Sequence, residues 1–464
     1  MFGKLLKHKM LISFLIIIAK FLPPSLTKPS EIAERVIVVA MGIDSAELID
    51  GEMFEITVQA IRSAGAINQS AENLAVVSVT ATEITAALDL IQLKLGKVAG
   101  FALCKLIVIG DTVAHNNLIN ILDYFVRSEM LGLNTLLINT SSRAKEIIQT
   151  SAELDNNSSF SIQRTMDFNM DHISSVNLSL GNFFKEYYCY GKSSVIPFIE
   201  MEKTPEEEAG TAGDTSTSGS SPAGGTSGGT TSSGGKTAAK MNATSGGTLI
   251  NPDDLAKIAK TSEGTLSGGV QTSSLKIPAI INEGRSAIFK KGVKVAMLTP
   301  NQTRGFNWMR PARDDRGTIT VKNVNGDGLV DATVTVRIVG KNARYKTFFE
   351  DGVPVYKAII NLDVKVLEII QEDNSHDTFS SIKTFINEPL ITALTNQIKL
   401  EANDVFNLMK ENNYDILNMC RQFAKFNFKK WMNYLEPYKV GEEEYEGYLE
   451  NIRLDIDVKI HSKY

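Results

Sequence analysis

The chain has 464 residues, 43% of them apolar and 22% charged, which is enough to bury cores in about two or three domains and excludes disorder throughout. Its 48 basic and 53 acidic residues give a net charge of −5, without the basic excess of a nucleic-acid-binding protein. Cys104, Cys189 and Cys420 lie too far apart for a CxxC metal or redox motif and are too few for a disulfide scaffold.

Lys4, Lys7, His8 and Lys9 precede an apolar run at 10–19, MLISFLIIIA, and Pro23-Pro24 follows it. A basic front before about ten apolar residues fits an export signal, being shorter than the roughly 20 that cross a bilayer. Lys20 interrupts the run, but Phe21 and Leu22 extend it into a short anchor if Lys20 snorkels. Pro23-Pro24-Ser25 makes a poor cleavage signal, so residues 1–28 are expected to form a signal or an uncleaved signal anchor.

Residues 36–41 are continuously apolar, as suits a central strand ending at Gly42-Ile43-Asp44. Phe54, Ile56, Val58 and Ala60 alternate with Glu55, Thr57 and Gln59, the period of a half-buried strand, and 73–81 reads as another. A helix is expected next, entered through a capping box at Thr80-x-x-Glu83. Ile84, Leu88, Ile91 and Leu95 line one face of it, and Gly96 stops it. Strands at 106–109 and 135–138 alternate with helices at 118–125 and 144–149, which favours a sheet covered by helices.

From 209 to 248, Gly, Ser and Thr dominate and no Leu, Ile, Val or aromatic residue occurs. Such a segment cannot offset the entropy lost on ordering, and a flexible coil is expected. Gly225-Thr-Ser227-Gly-Gly229 fits GxSxG, and 229–237, GTTSSGGKT, is near a P-loop with one residue too many. Neither has the flanking strand and helix that would aim its groups, so both are discounted. Val195-Ile-Pro-Phe-Ile199 before the coil and 276–289 after it are strand-like, with a short helix at 252–260 between, so the coil reads as an insertion within a domain.

Further strands are expected at 293–298, 318–324, 329–339 and 355–370, with turns at Lys290-Lys291-Gly292 and Asn325-Gly-Asp-Gly328. Leu390, Leu394, Ile398, Ala402 and Phe406 recur every four residues on a long helix, and an aromatic-rich helix follows over 415–435. Ile452, Leu454, Ile456, Val458 and Ile460 alternate in a closing strand, whose Asp455 and Asp457 share a solvated face. The fold class is α+β or mixed α/β, with several mixed sheets covered by helices.

Several of these stretches carry a family resemblance. Val36-Ile-Val-Val-Ala-Met-Gly-Ile-Asp44 with Phe54-Glu-Ile-Thr-Val-Gln59 resembles the opening of the Ger(x)C family, the C subunits of spore germinant receptors. Lys105-Leu-Ile-Val-Ile-Gly110, Ile121-Leu-Asp-Tyr-Phe-Val-Arg127, Ala287-Ile-Phe-Lys-Lys291 and Thr303-Arg-Gly305 are similar to further stretches of it, as are Tyr414-Asp-Ile416 and Lys430-Trp431. The resemblance implies a three-domain exterior protein in nutrient-triggered germination, working beside two integral-membrane subunits of A and B type, with no cofactor and no catalytic residues. On this reading 1–28 is the targeting segment, 31–190 an N-terminal α/β domain, 191–313 a small β-rich domain interrupted by 203–248, and 314–464 a C-terminal α+β domain. The location implied is the outer face of the cytoplasmic or spore inner membrane. The family's lipid-bearing cysteine has no counterpart, since no cysteine precedes Cys104, and Leu103 stands where the family often has His.

Histidine chemistry is sparse: His115, His172 and His376 lack metal-site spacing and read as satisfied surface residues. Cys104, beside an apolar strand, reads as inert packing. Asn323, Asn325, Asp327 and Asp331, with Gly328 at the sixth place, resemble a calcium loop, but Val334 stands where the bidentate carboxylate belongs and a tight turn is the simpler account. The reading is a non-enzymatic receptor subunit that binds no nucleic acid; the alternative is an exported solute-binding or hydrolytic protein.

Overall fold

The computed structural model describes residues 35–48, 51–62, 74–116, 118–154, 172–189, 191–201, 280–281, 283–311, 315–326, 329–370, 386–441 and 444–463. The apolar run at 36–41 lies within β1 (Arg35–Leu48), which has paired strands along both edges, and Val36, Val38, Met41 and Ile43 are buried among helix residues such as Leu88, Ile91 and Leu122 that cover that face. β2 (Gly51–Arg62) and β3 (Leu74–Ala81) follow antiparallel on one side. α1 (Ile84–Leu95) then crosses back, so that β4 (Val98–Gly100) and β5 (Leu106–Ile109) lie parallel to β1 on its other side.

After α2 (Asp111–Ala114) and α3 (Leu118–Arg127) comes β6 (Leu136–Thr140), parallel to β5. After α4 (Ala144–Leu154) and α5 (Leu180–Tyr187) comes β7 (Ser193–Met201), parallel to β6. β8 (Ile280–Ile281) and β9 (Ser286–Lys290) pair antiparallel with β7, and β10 (Val293–Leu298) with β9. The ten-stranded mixed sheet runs β10-β9-β7-β6-β5-β1-β2-β3, with β4 on β1 and β8 on β7. Successive strand residues face opposite ways. Ile107 therefore joins Leu88, Ile91, Phe125 and Phe183 of α1, α3 and α5, while Val108 joins Ile147 and Ile148 of α4 on the other face.

β7 and β9 are adjacent: Ser193 pairs with Lys290 and Pro197 with Ser286, in the sheet that holds β1. The expected targeting segment 1–28, the coil at 209–248 and the helix at 252–260 lie outside the described residues.

A second sheet has the order β11 (Gly317–Gly326), β12 (Leu329–Glu350), β13 (Val353–Ile370), β14 (Arg453–Ser462); its last pairing is parallel, the others antiparallel. α6 (Pro300–Met309), α7 (Glu388–Asn412) and α8 (Met419–Leu435) pack against it. Leu390, Leu394 and Ile398 of α7 meet Val336, Ile360 and Leu362. Farther along, Ala402 and Phe406 of α7 and Phe423 and Trp431 of α8 share one cluster with Tyr356 and with Val195 and Ile288 of the first sheet. That cluster ties the two sheets together.

Several local expectations are corrected. Thr80 does not cap α1; it sits in β3 opposite Glu55, and Glu83 holds the N-cap place without a side-chain bond. The single strand expected at 276–289 is interrupted between β8 and β9, where Gly284 takes φ +79°. Asp415 is not the first residue of the last helix, which begins at Met419. α6 was not foreseen, although Thr299-Pro300-Asn301-Gln302 is a capping box with Pro at the first helical position, a readable signal.

Candidate functional site

The described residues hold several polar centres. Within β1, Asp44 is buried and its carboxylate accepts the N–H groups of Ala144 (2.8 Å) and Lys145 (3.0 Å), capping α4 from another element. Burial pushes its carboxyl up, while those amides and Arg143 pull it back. Gly110 makes room: a Cβ there would stand 2.0 Å from Asp44 Oδ1. Beside it, Glu55 accepts from Lys145 Nζ (2.8 Å) and Ser78 Oγ (2.7 Å) and pairs with Arg143. Burial alone would raise Glu55, but these donors outweigh it and hold the carboxyl below its usual range.

The second centre is built by Thr303-Arg304-Gly305 on α6. Gly305 lets α6 approach the backbone of α7 at Glu401. The buried Glu401 carboxylate accepts from Arg304, from Trp308 Nε1 (2.8 Å) and from Gln397 Nε2 (2.9 Å). Asn307, on the same helix, donates to the carbonyls of Ile173 (2.7 Å) and Ser175 (2.8 Å). Its own carbonyl accepts from Lys341 of β12, whose ammonium reaches Asp315 Oδ2 at 2.6 Å. Burial pushes Lys341 down to about 8, against the opposing pull of Asp315.

The third centre surrounds Asp415. Its buried carboxylate accepts from Met419 N (2.7 Å), Cys420 N (2.9 Å) and Tyr448 Oη (2.8 Å), so it caps α8 from outside that helix. Burial raises its carboxyl, and these three bonds oppose the rise. Nearby, Lys192, Lys290 and Lys291 line a solvent-open cleft of about 330 Å³ with Glu444. Glu444 lies 3.0 Å from Lys291 and 3.7 Å from Lys192, which lowers its carboxyl. Burial lowers Lys290.

Of the residues considered from sequence, Asn325 and Asp331 come together across the β11–β12 hairpin. Asn325 Nδ2 donates to Asp331 Oδ1 (2.9 Å), and Asp331 N donates to Asn325 Oδ1 (2.8 Å). Asn323 and Asp331 take φ of +57° and +43°, and Asp327 lies outside the described residues. His172 is not on the surface; it is half-buried, accepts from Ser174 N at 3.3 Å, and is pushed down by burial and Arg304. His115 is exposed beside Asp111, and His376 lies outside the described residues. Cys104 is buried, donates to Leu106 O at 3.3 Å, and has its thiol pushed up to about 12. Among the described residues, no three His, Cys, Asp or Glu gather as a metal site. As tertiary anchors Asp44, Glu401 and Asp415 carry no local sequence signal, although Asp44, Asp415 and the Arg304 that pairs with Glu401 lie in stretches that carry the family resemblance.

These centres fasten elements to one another, and Asp44, Glu55, Arg304, Gly305 and Asp415 fall in the stretches that carry the family resemblance. Two family models match the chain: one described as the spore germination protein N-terminal domain, over residues 28–201, and one described as spore germination B3/GerAC-like, C-terminal, over 284–463. The chain belongs to the Ger(x)C family of spore germination proteins. Among solved structures it is similar to one titled the crystal structure of the GerBC protein, at 13% identity and a TM-score of 0.45, covering 90% of this chain and 97% of that one. No curated protein matches the chain. Among the described residues, no helix is long and apolar enough to cross a membrane.

Proposed function

We infer that this chain is the exterior, non-enzymatic subunit of a membrane nutrient germinant receptor, acting beside two integral-membrane subunits of A and B type. The observation that carries the reading is the match of both halves, 28–201 and 284–463, to the two domains of the spore germination family. The chemistry of the polar centres supports it. Asp44, Glu401 and Asp415 spend their lone pairs on backbone amides, an arginine, an indole and a phenol that fasten elements together. The Cys104 thiol, buried and raised, stays protonated and unreactive. The basic and apolar residues at 4–22 supply the tether to the outer face of the cytoplasmic or spore inner membrane. Co-purification from spore inner membranes tests the reading: the chain should elute with two polytopic partners, and elution by itself counts against it.

A further inference from the structure

Among the described residues, α8 carries an exposed face. Its sequence, MCRQFAKFNFKKWMNYL, holds Arg421, Lys425, Lys429 and Lys430 and no acidic residue, in a chain whose net charge is −5. At Asn427 the backbone leaves the helical region (φ −140°, ψ 38°), and the Asn427 side chain donates to Thr347 O of β12 at 2.9 Å. In an unbroken helix, residues two apart point about 200° away from one another, so one of Phe426 and Phe428 would turn toward the protein. With the break, both rings stand out, 59% and 63% exposed. Lys425, Lys429 and Lys430 flank them and are also exposed, the Lys425 ammonium 5.0 Å from the Phe426 ring centroid. The break is anchored, not frayed: Phe423 before it stacks on Trp431 after it at 4.7 Å, and Trp431 stacks in turn on Tyr434 at 5.1 Å.

We propose that this face seats on an anionic lipid bilayer, with the two phenylalanine rings at the boundary of headgroups and acyl chains and the three lysines among the phosphates. Aromatic rings rimmed by lysine match an interface that is apolar below and negatively charged above. A rim of one sign also disfavours pairing of this face with its own copy, because like charges would meet across the two-fold axis. The inference rests on the reading of the chain as a membrane-surface protein and adds which side turns to the lipid.

Phe428→Trp in the full chain supplies a reporter, since both natural tryptophans, Trp308 and Trp431, are buried. The probe is vesicles of phosphatidylcholine with or without phosphatidylglycerol. On the anionic vesicles the new indole should shift its emission to the blue and be quenched by brominated acyl chains. The effect should weaken as salt shortens the screening length from about 10 Å at 0.1 M to about 3 Å at 1 M. Adding Lys425→Gln, Lys429→Gln and Lys430→Gln should lower the docking of this face, read as the blue shift and the quenching of the indole, on the order of 100-fold, about five-fold per lysine. The thermal midpoint should stay put, because these side chains are exposed, which separates lost binding from lost folding. If the chain sediments with vesicles while the indole neither shifts nor is quenched, this face is wrong and the membrane reading survives. An indole that responds only to membranes containing the integral subunits assigns the face to a protein and overturns the lipid. A chain that never sediments with anionic vesicles overturns the proposal outright, and co-purification still judges the receptor reading separately.

Discussion

Gly305→Ala is a one-carbon change that tests how the two sheets are held. A Cβ at Gly305 would stand 2.2 Å from the Glu401 carbonyl oxygen, 2.7 Å from its carbonyl carbon and 3.2 Å from Val405 Cγ1. Carbon and carbonyl oxygen come no closer than about 3.3 Å in ordinary contact, so α6 and α7 must part by about 1 Å. The obstructing atoms are helix backbone and cannot rotate away, which places the strain near the upper end of overpacking costs, about 3 kcal/mol. Parting also loosens the Arg304 and Trp308 bonds to Glu401, at about 1.5–3 kcal/mol for a hydrogen bond to a charged group. Alanine recovers about 1 kcal/mol through its higher helix propensity. The expected result is a loss of about 3.5–5 kcal/mol in urea unfolding followed by tryptophan emission, which Trp308 on the same helix reports directly. Gly441→Ala is the control: its Cβ would meet nothing closer than 3.7 Å, and its effect should stay within about 0.5 kcal/mol. A Gly305→Ala protein as stable as the parent would refute the close approach of α6 to α7.

Lys341→Met should cost about 3–5 kcal/mol by stranding the Asp315 carboxylate, and pairing it with Asp315→Leu should restore most of that; a double variant no better than the single sinks the ion-pair account. Burial raises the Glu186 carboxyl to about 8, with Arg310, Lys185 and Arg421 opposing. The folded protein therefore binds that proton more tightly than the unfolded chain does, so the contribution is whole below the ordinary 4.5 and is lost as pH rises through about 8. Glu186→Gln should flatten the fall of stability with pH across that window, and parallel curves for parent and variant would contradict it. Calorimetric titration of the full chain with calcium should give no heat of micromolar binding, because Asn325 and Asp331 already satisfy one another; heat abolished by Asp331→Ala would reverse this. Deleting 209–248 should leave the thermal midpoint nearly unchanged, since the strands on either side, β7 and β9, pair within one sheet; a protein that separates into two bodies after cleavage in that stretch would count against it.

The elements themselves were legible because their signals are local. Alternation at 54–60 made β2, recurrence every fourth residue from Leu390 made α7, and Gly96, at φ +63°, stopped α1. The family resemblance rested on short stretches, and the same stretches turn out to be joints: Asp44 caps α4, Arg304 and Gly305 lock onto Glu401, and Asp415 caps α8. None of these roles was readable, because each pairs a side chain with a backbone group or a charge on another element. Sequence separations of about 100 in two of them leave no period to detect. Asp415 shows the limit plainly: four residues before Met419 it looks like the start of the helix, yet it bonds the first amides of α8 from outside and reaches Tyr448 as well. The exposure of both Phe426 and Phe428 also needed the tertiary structure, since the helix leaves register at Asn427, where the side chain bonds Thr347 of β12. Periodicity records which way a side chain faces along its own element. Whether a carboxylate caps, pairs or stays in water depends on what the rest of the fold brings within about 3 Å of it.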